Sequence, residues 1–267
     1  MPGIPLPLRQ RSFGETTRRD PWWVTPALVF LGLSAFIVYA TWAALQGQHY
    51  TYGPYLSPFY SPVLFYSPAH PEGASHAWFG TVPSWWPGWL PYSPALLILW
   101  APAGFRVTCY YYRGAYYKAF WADPPSCAVG EPRKNYIGES NWPLKIQNVH
   151  RYFLYVAVLF IFMLAWDAIQ SFRFADGFGV GVGSLVLTVN VVLLAGYTFG
   201  CHSLRHLVGG RRDCLTDSAA CQAMYKGCSA LNRRHPLWAW MSLFSVMFAD
   251  VYVRLCSMGV TRDWRIV

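Results

Sequence analysis

Residues 152–171 read YFLYVAVLFIFMLAWDAIQS, and this stretch decides the fold class. Asp167 is its only charged side chain. At about 1.5 Å per residue such a helix is about 30 Å long, the thickness of a bilayer's hydrocarbon. Four further stretches share its character: residues 23–45, 94–111, 180–204 and 236–258. The second holds Pro94, Pro102 and Arg106, and prolines are tolerated in membrane helices. The expectation is an all-α integral membrane protein, a five-helix transmembrane bundle forming a single domain over residues 1–267.

Composition agrees. The chain is 54% hydrophobic and 12% charged, against about 25% charged in a soluble domain. Its net charge of +9 would suggest nucleic acid in a soluble protein; here the charge follows membrane topology, and no nucleic-acid partner is expected. The first 22 residues carry Arg9, Arg11, Arg18 and Arg19 with no apolar core, so they read as a cytoplasmic arm rather than a signal peptide. Residues 113–151 hold six lysines and arginines and residues 205–234 another six, whereas residues 47–92 hold none. The positive-inside rule then puts the N-terminus and the loops 112–151 and 205–235 in the cytoplasm, and the C-terminus outside.

The outer loop, residues 47–92, is rich in Pro, Tyr, Trp and Phe and reads as an aromatic belt at the interface, with a cap over a quinone or lipid pocket as the sharper alternative. His49, His70 and His76 fall there and read as surface histidines. The run Gly177, Gly179, Gly181, Gly183 resembles a phosphate loop, but no strand precedes it and no lysine follows; a tight turn with close packing explains it. Asp250 has Arg254 four residues on and reads as a local ion pair, while Asp167 has no such partner in sequence and lies close to the interface, with a proton path or an outer quinone pocket as its functional alternative. Cys214, Cys221 and Cys228 repeat at sevens, a spacing that matches no zinc pattern, and read as loop thiols.

Chemistry collects on the cytoplasmic side. The stretch Gly200-Cys201-His202-Ser203-Leu204-Arg205-His206-Leu207-Val208-Gly209-Gly210 puts His202 and His206 on one helical face with Arg205 between them. His150, His235, Cys109, Cys127 and Cys201 map to the same depth. Polar groups at a membrane helix end mark a functional site by default. Single histidines also cap carbonyls, and cysteine is commonly buried without a metal role. Two cofactors suit the set. A b-type haem needs two imidazoles facing each other from different helices, which His150 or His235 with His202 or His206 could supply. A Rieske-type [2Fe–2S] centre needs two Cys on one iron and two His on the other. An i, i+4 pair such as His202 and His206 converges on one iron, so the expected ligands are Cys109, Cys127, His202 and His206, with His150 and Cys201 in reserve.

Four motifs carry a resemblance: Cys109-Tyr110-Tyr111-Tyr112-Arg113, Pro124-Pro125-Ser126-Cys127-Ala128-Val129, Gln147-Asn148-Val149-His150-Arg151-Tyr152-Phe153 and the 200–210 stretch. From about Val24 to Met258 the chain resembles the membrane anchor (cytochrome b-like) subunit of actinobacterial succinate dehydrogenase, respiratory complex II. The resemblance implies a multi-pass subunit of the cell (plasma) membrane within a succinate:quinone oxidoreductase, with no succinate chemistry of its own. It implies docking of a flavoprotein subunit carrying FAD and an iron–sulfur subunit, contact with lipid, a higher oligomer of the three-subunit complex, and quinone as electron acceptor. Five-helix anchors of this class hold two b haems; here no histidine pair exists in the outer halves, which points to a single inner centre. Tyr110, Tyr111, Arg113, Trp121, Arg205 and His235 are the nearby candidates to bind quinone. The rival readings are the same anchor with one b haem, a transporter, and a cofactor-free structural anchor.

Overall fold

The computed structural model describes residues 11–133, 144–210 and 218–267. In chain order the helices are α1 (Val24–Gln46), α2 (Pro94–Ile98), α3 (Trp100–Val107), α4 (Tyr110–Phe120), α5 (His150–Gln170), α6 (Val182–Phe199), α7 (His202–Gly209), α8 (Ala219–Asn232) and α9 (His235–Ser257). Two antiparallel hairpins, β1–β2 (Thr51–Tyr52 with Tyr55–Leu56) and β3–β4 (Arg173–Phe174 with Gly177–Phe178), interrupt them. The fold is mostly helical. Among the described residues four helical stretches are long and apolar enough to cross a membrane: Val24–Gln46, Lys145–Gln170, Val182–Phe199 and His235–Ser257.

The predicted span 94–111 is not one helix. Pro102 has no N–H to give to the carbonyl of Ile98, so the chain turns at Leu99 between α2 and α3. A second break at Thr108 and Cys109 starts α4, which runs on into the predicted loop. The predicted span 180–204 also ends early. Gly200 closes α6, Cys201 is extended, and His202 opens the separate helix α7. The freed carbonyl of Gly200 accepts from Asn232 Nδ2 of α8 at 2.8 Å.

The chain forms two compact units. The first takes residues 1–35 and 107–148. In it the predicted arm is stitched to the 126–130 stretch. Arg18 donates to Ser126 Oγ at 2.7 Å and to the Cys127 carbonyl at 3.0 Å, and Thr16 Oγ1 donates to the Ala128 carbonyl at 2.9 Å. Phe30 of α1 meets Phe120 of α4 with ring centroids 4.8 Å apart.

The second unit takes residues 36–106 and 149–267. Close approach of α6 and α9 rests on Gly196, where a Cβ would stand 2.6 Å from the Trp238 ring. Ser245 Oγ donates to Asn190 Oδ1 across the same pair. Ahead of α2, Tyr50, Tyr55, Leu56, Phe59, Tyr60 and Val63 are core rather than belt, packed with Ala43, Ala44, Val246, Ala249 and Val253. Tyrosine can be buried because its hydroxyl finds a partner: Tyr60 donates to the Ala43 carbonyl at 2.6 Å and Tyr55 to Asp263 at 2.6 Å. Trp78, Phe79, Trp85 and Trp89 stay exposed, as a belt requires. The glycine run is packing, as expected. Gly177 takes the turn of β3–β4 at φ +125°, and Cβ atoms on Gly181 or Gly183 would collide with Tyr55. Asp263 also accepts from Tyr252 at 2.6 Å and from the Gly183 N–H at 2.9 Å.

Candidate functional site

Each of the second unit's buried imidazoles opens a long helix. His150 begins α5 and His235 begins α9. Both are almost wholly buried. His150 Nε2 lies 3.1 Å from Cys201 Sγ, whose sulfur also caps α7 by accepting from the Ser203 N–H at 3.4 Å. His235 lies within electrostatic reach of His150. Aromatic rings hold both imidazoles in plane. Phe105 stacks on His150 at 4.5 Å, Tyr197 stacks on His235 at 5.0 Å, and the two rings meet edge-on at 5.5 Å.

The same two rings form one wall of an apolar cavity of about 150 Å³. Phe36 and Ala40 of α1, Phe59, Leu99, Leu164 of α5 and Val246 of α9 line the rest. A volume of this order takes one aromatic ring. Arg106 is the charged group on the wall. Its guanidinium lies 4.7 Å from the Tyr197 ring centroid and donates to Ser242 Oγ at 3.0 Å and to the Ala239 carbonyl at 3.3 Å. An arginine inside an apolar stretch is the sequence signal that points here. Phe105 and Tyr197 gave no such signal.

The predicted residues distribute differently. His202 and His206 do share a face, but on the surface helix α7, where both are exposed. Arg205 beside them is spent on Tyr225 of α8, donating to its hydroxyl at 2.8 and 3.2 Å. In the first unit Cys109 is buried at the start of α4, whereas Cys127 is exposed and gives only its carbonyl, to Arg18. Tyr110 and Tyr111 line a groove of that unit with Trp22, Lys118 and Cys127. Arg113 lies 5.9 Å from the Tyr117 ring centroid, and Trp121 packs edge-on against Tyr116 and Tyr117. Tyr116 accepts from Gln147 Nε2 at 3.2 Å, and burial pushes its phenol above the usual range. Of the quinone candidates only His235 lies in the buried cluster. Cys221 and Cys228 sit on one face of α8, and Cys214 lies outside the described residues.

Among the described residues no three His, Cys, Asp or Glu side chains stand together as a formed metal site. Of the buried donors, His150 and Cys201 are in contact, and His235 is close enough to His150 to act on it electrostatically.

The sequence profile of the actinobacterial succinate dehydrogenase subunit SdhC matches residues 24–259. The chain belongs to this family. A solved structure of the Mycobacterium smegmatis Sdh1 complex in the apo form contains a chain 42% identical to it; the match covers 99% of each chain with a TM-score of 0.85. No curated protein matches. The molecule is therefore a membrane anchor subunit of succinate dehydrogenase.

Proposed function

We propose that this anchor receives electrons from the soluble subunits at the buried His150–Cys201–His235 cluster and that quinone is reduced in the adjoining apolar cavity. One observation carries the reading: the rings that clamp the two buried imidazoles, Phe105 and Tyr197, are also the wall of the cavity.

His150, His235 and Cys201 would hold a Rieske-type [2Fe–2S] centre. Such a centre stores one electron at a potential that imidazole ligation raises. Everything else belongs to the chain. Phe105 and Tyr197 fix the imidazole planes and exclude water from them. Leu164, Phe59, Phe36 and Val246 accept an apolar ring, and Arg106 supplies a permanent N–H donor to a quinone carbonyl as negative charge develops there. The sulfur of Cys201 against His150 favours mixed ligation over a b haem, which asks for two opposed imidazoles. In this reading the lysine- and arginine-rich stretches face the cytoplasm, where they form a charged platform for the flavoprotein and iron–sulfur subunits.

The test is the purified, dithionite-reduced complex. An EPR signal of mixed Cys/His ligation that disappears in His150→Ala and His235→Ala supports the reading. A reduced-haem α band, or loss of the signal in His202→Ala with His206→Ala instead, overturns it.

A further inference from the structure

Two serines four residues apart in the buried stretch after β2 each place a hydroxyl on a carboxylate of a different membrane helix. Ser57 donates to Asp250 of α9, and Ser61 donates to Asp167 of α5. The likeness ends with the surroundings. Asp250 is fully buried, with Arg254 Nε at 3.4 Å and the Tyr39 hydroxyl donating at 2.6 Å. Arg254 in turn donates to the Gln48 carbonyl at 3.0 Å and lies over the Trp42 ring. That charge is compensated on every side and serves as a clasp.

Asp167 has no ion-pair partner among the described residues, and it accepts from the Ser61 hydroxyl. It lines a polar groove with Gln170, Ser75, His76 and Arg173. Arg173 is that groove's cation, and burial pushes the His76 imidazole below its usual range. Neither Asp167 nor Ser61 lines the apolar cavity, but chain neighbours of both do. Leu164, three residues before Asp167 and about one turn along α5, lines the cavity, and so does Phe59, two residues before Ser61. A carboxylate at membrane depth with no direct ion pair is costly to keep charged and marks a functional group. Asp167 thus stands in the polar groove, and its hydrogen-bond partner Ser61 sits on the chain segment that brings Phe59 to the cavity.

We propose that Asp167 and Ser61 form a proton relay that delivers protons from this groove to the quinone reduced in the cavity, an inference that rests on the cavity being the quinone site. Reduction of a quinone to quinol takes two electrons, supplied by succinate oxidation on the partner subunits, and two protons. In each transfer the O–H bond of protonated Asp167 breaks toward the Ser61 oxygen. The Ser61 proton moves on toward a quinone carbonyl oxygen, and the Asp167 carboxylate regains a proton from water in the groove. The pair works twice per quinone.

The experiment uses the whole complex in lipid nanodiscs, with succinate as donor and either a short-chain quinone or a soluble dye as acceptor. Asp167→Asn should lower kcat for quinone about tenfold or more, leave KM for quinone and dye reduction unchanged, and regain activity with azide, a small weak acid that carries protons. Asp167→Glu should restore turnover without azide, and Ser61→Ala should act in the same direction as Asp167→Asn. Wild-type quinone turnover in Asp167→Asn overturns the relay, as does a loss that azide leaves untouched or that dye reduction shares. Ala103→Trp, which puts an indole at the cavity, tests the underlying reading separately. If that variant reduces quinone normally, the cavity assignment fails; if it is inactive while Asp167→Asn is normal, only the relay fails.

Discussion

The two histidine pairs of this chain separate spacing from environment. His202 and His206 have the spacing expected of ligands, one turn apart on one helix face, yet both look into solvent from α7. His150 and His235 are far apart in sequence, yet each is buried under a stacked ring and one touches a thiol. Each pair even has its own arginine over a tyrosine, Arg106 over Tyr197 and Arg205 over Tyr225. Spacing brings two side chains to one face, and packing decides what that face meets.

The sharpest way to break this contrast is to remove both pairs in turn. His150→Ala with His235→Ala should lower quinone reduction by the complex by about two orders of magnitude, while His202→Ala with His206→Ala leaves it within about twofold, read as succinate:quinone turnover against dye turnover. Equal losses would dissolve the distinction. The arginines offer the next largest effect. Arg106→Leu should raise KM for quinone about tenfold through loss of a charged donor, and Arg205→Leu should leave KM in place, measured by steady-state titration with a short-chain quinone.

Two glycines carry the comparison into stability. Gly196→Leu drives a side chain into Trp238 below the buried pair and should cost about 1–3 kcal/mol, seen as a lower Tm of the detergent-purified complex. Gly227 lies in α8 with nothing within 4 Å of a Cβ, so Gly227→Ala should raise the stability of the exposed region by up to about 1 kcal/mol. The smallest effect concerns pH. Arg265 beside Asp176 holds that exposed carboxyl below its usual range. Its contribution is therefore full above the ordinary carboxylate pKa and disappears as pH falls through the lowered one. Asp176→Asn should lower Tm slightly at pH 7 and leave it unchanged once pH is below the lowered pKa, so that the acid limb of a Tm-versus-pH series is flatter.

Much of the fold was legible because membrane helices announce themselves by length. The stretches 23–45, 152–171 and 236–258 agree with α1, α5 and α9 to within a few residues. The misreadings have local causes. At 94–111 average hydropathy hid a missing hydrogen bond at Pro102, and at 180–204 it ran past Gly200 and Cys201. Those two residues set the end of α6 and so decide that His202 and His206 leave the bundle. The site was legible by residue type, since His150, Cys201 and His235 were all named. Their convergence was not, because it depends on Phe105 and Tyr197 arriving from two other helices. The pair Asp250–Arg254 read correctly, as an i, i+4 contact needs no tertiary knowledge.

Asp263 gathers Tyr55, Tyr252 and the Gly183 N–H, and its contact with Tyr55 bridges 208 residues of chain. Synthesis is vectorial, so Tyr55 waits for that clasp until α5, α6 and α9 have been made and inserted. During that interval the aromatic stretch around Tyr50–Val63 has no finished core to enter. The stretch that brings Phe59 to the cavity wall is thus completed only once the last membrane helix has been made.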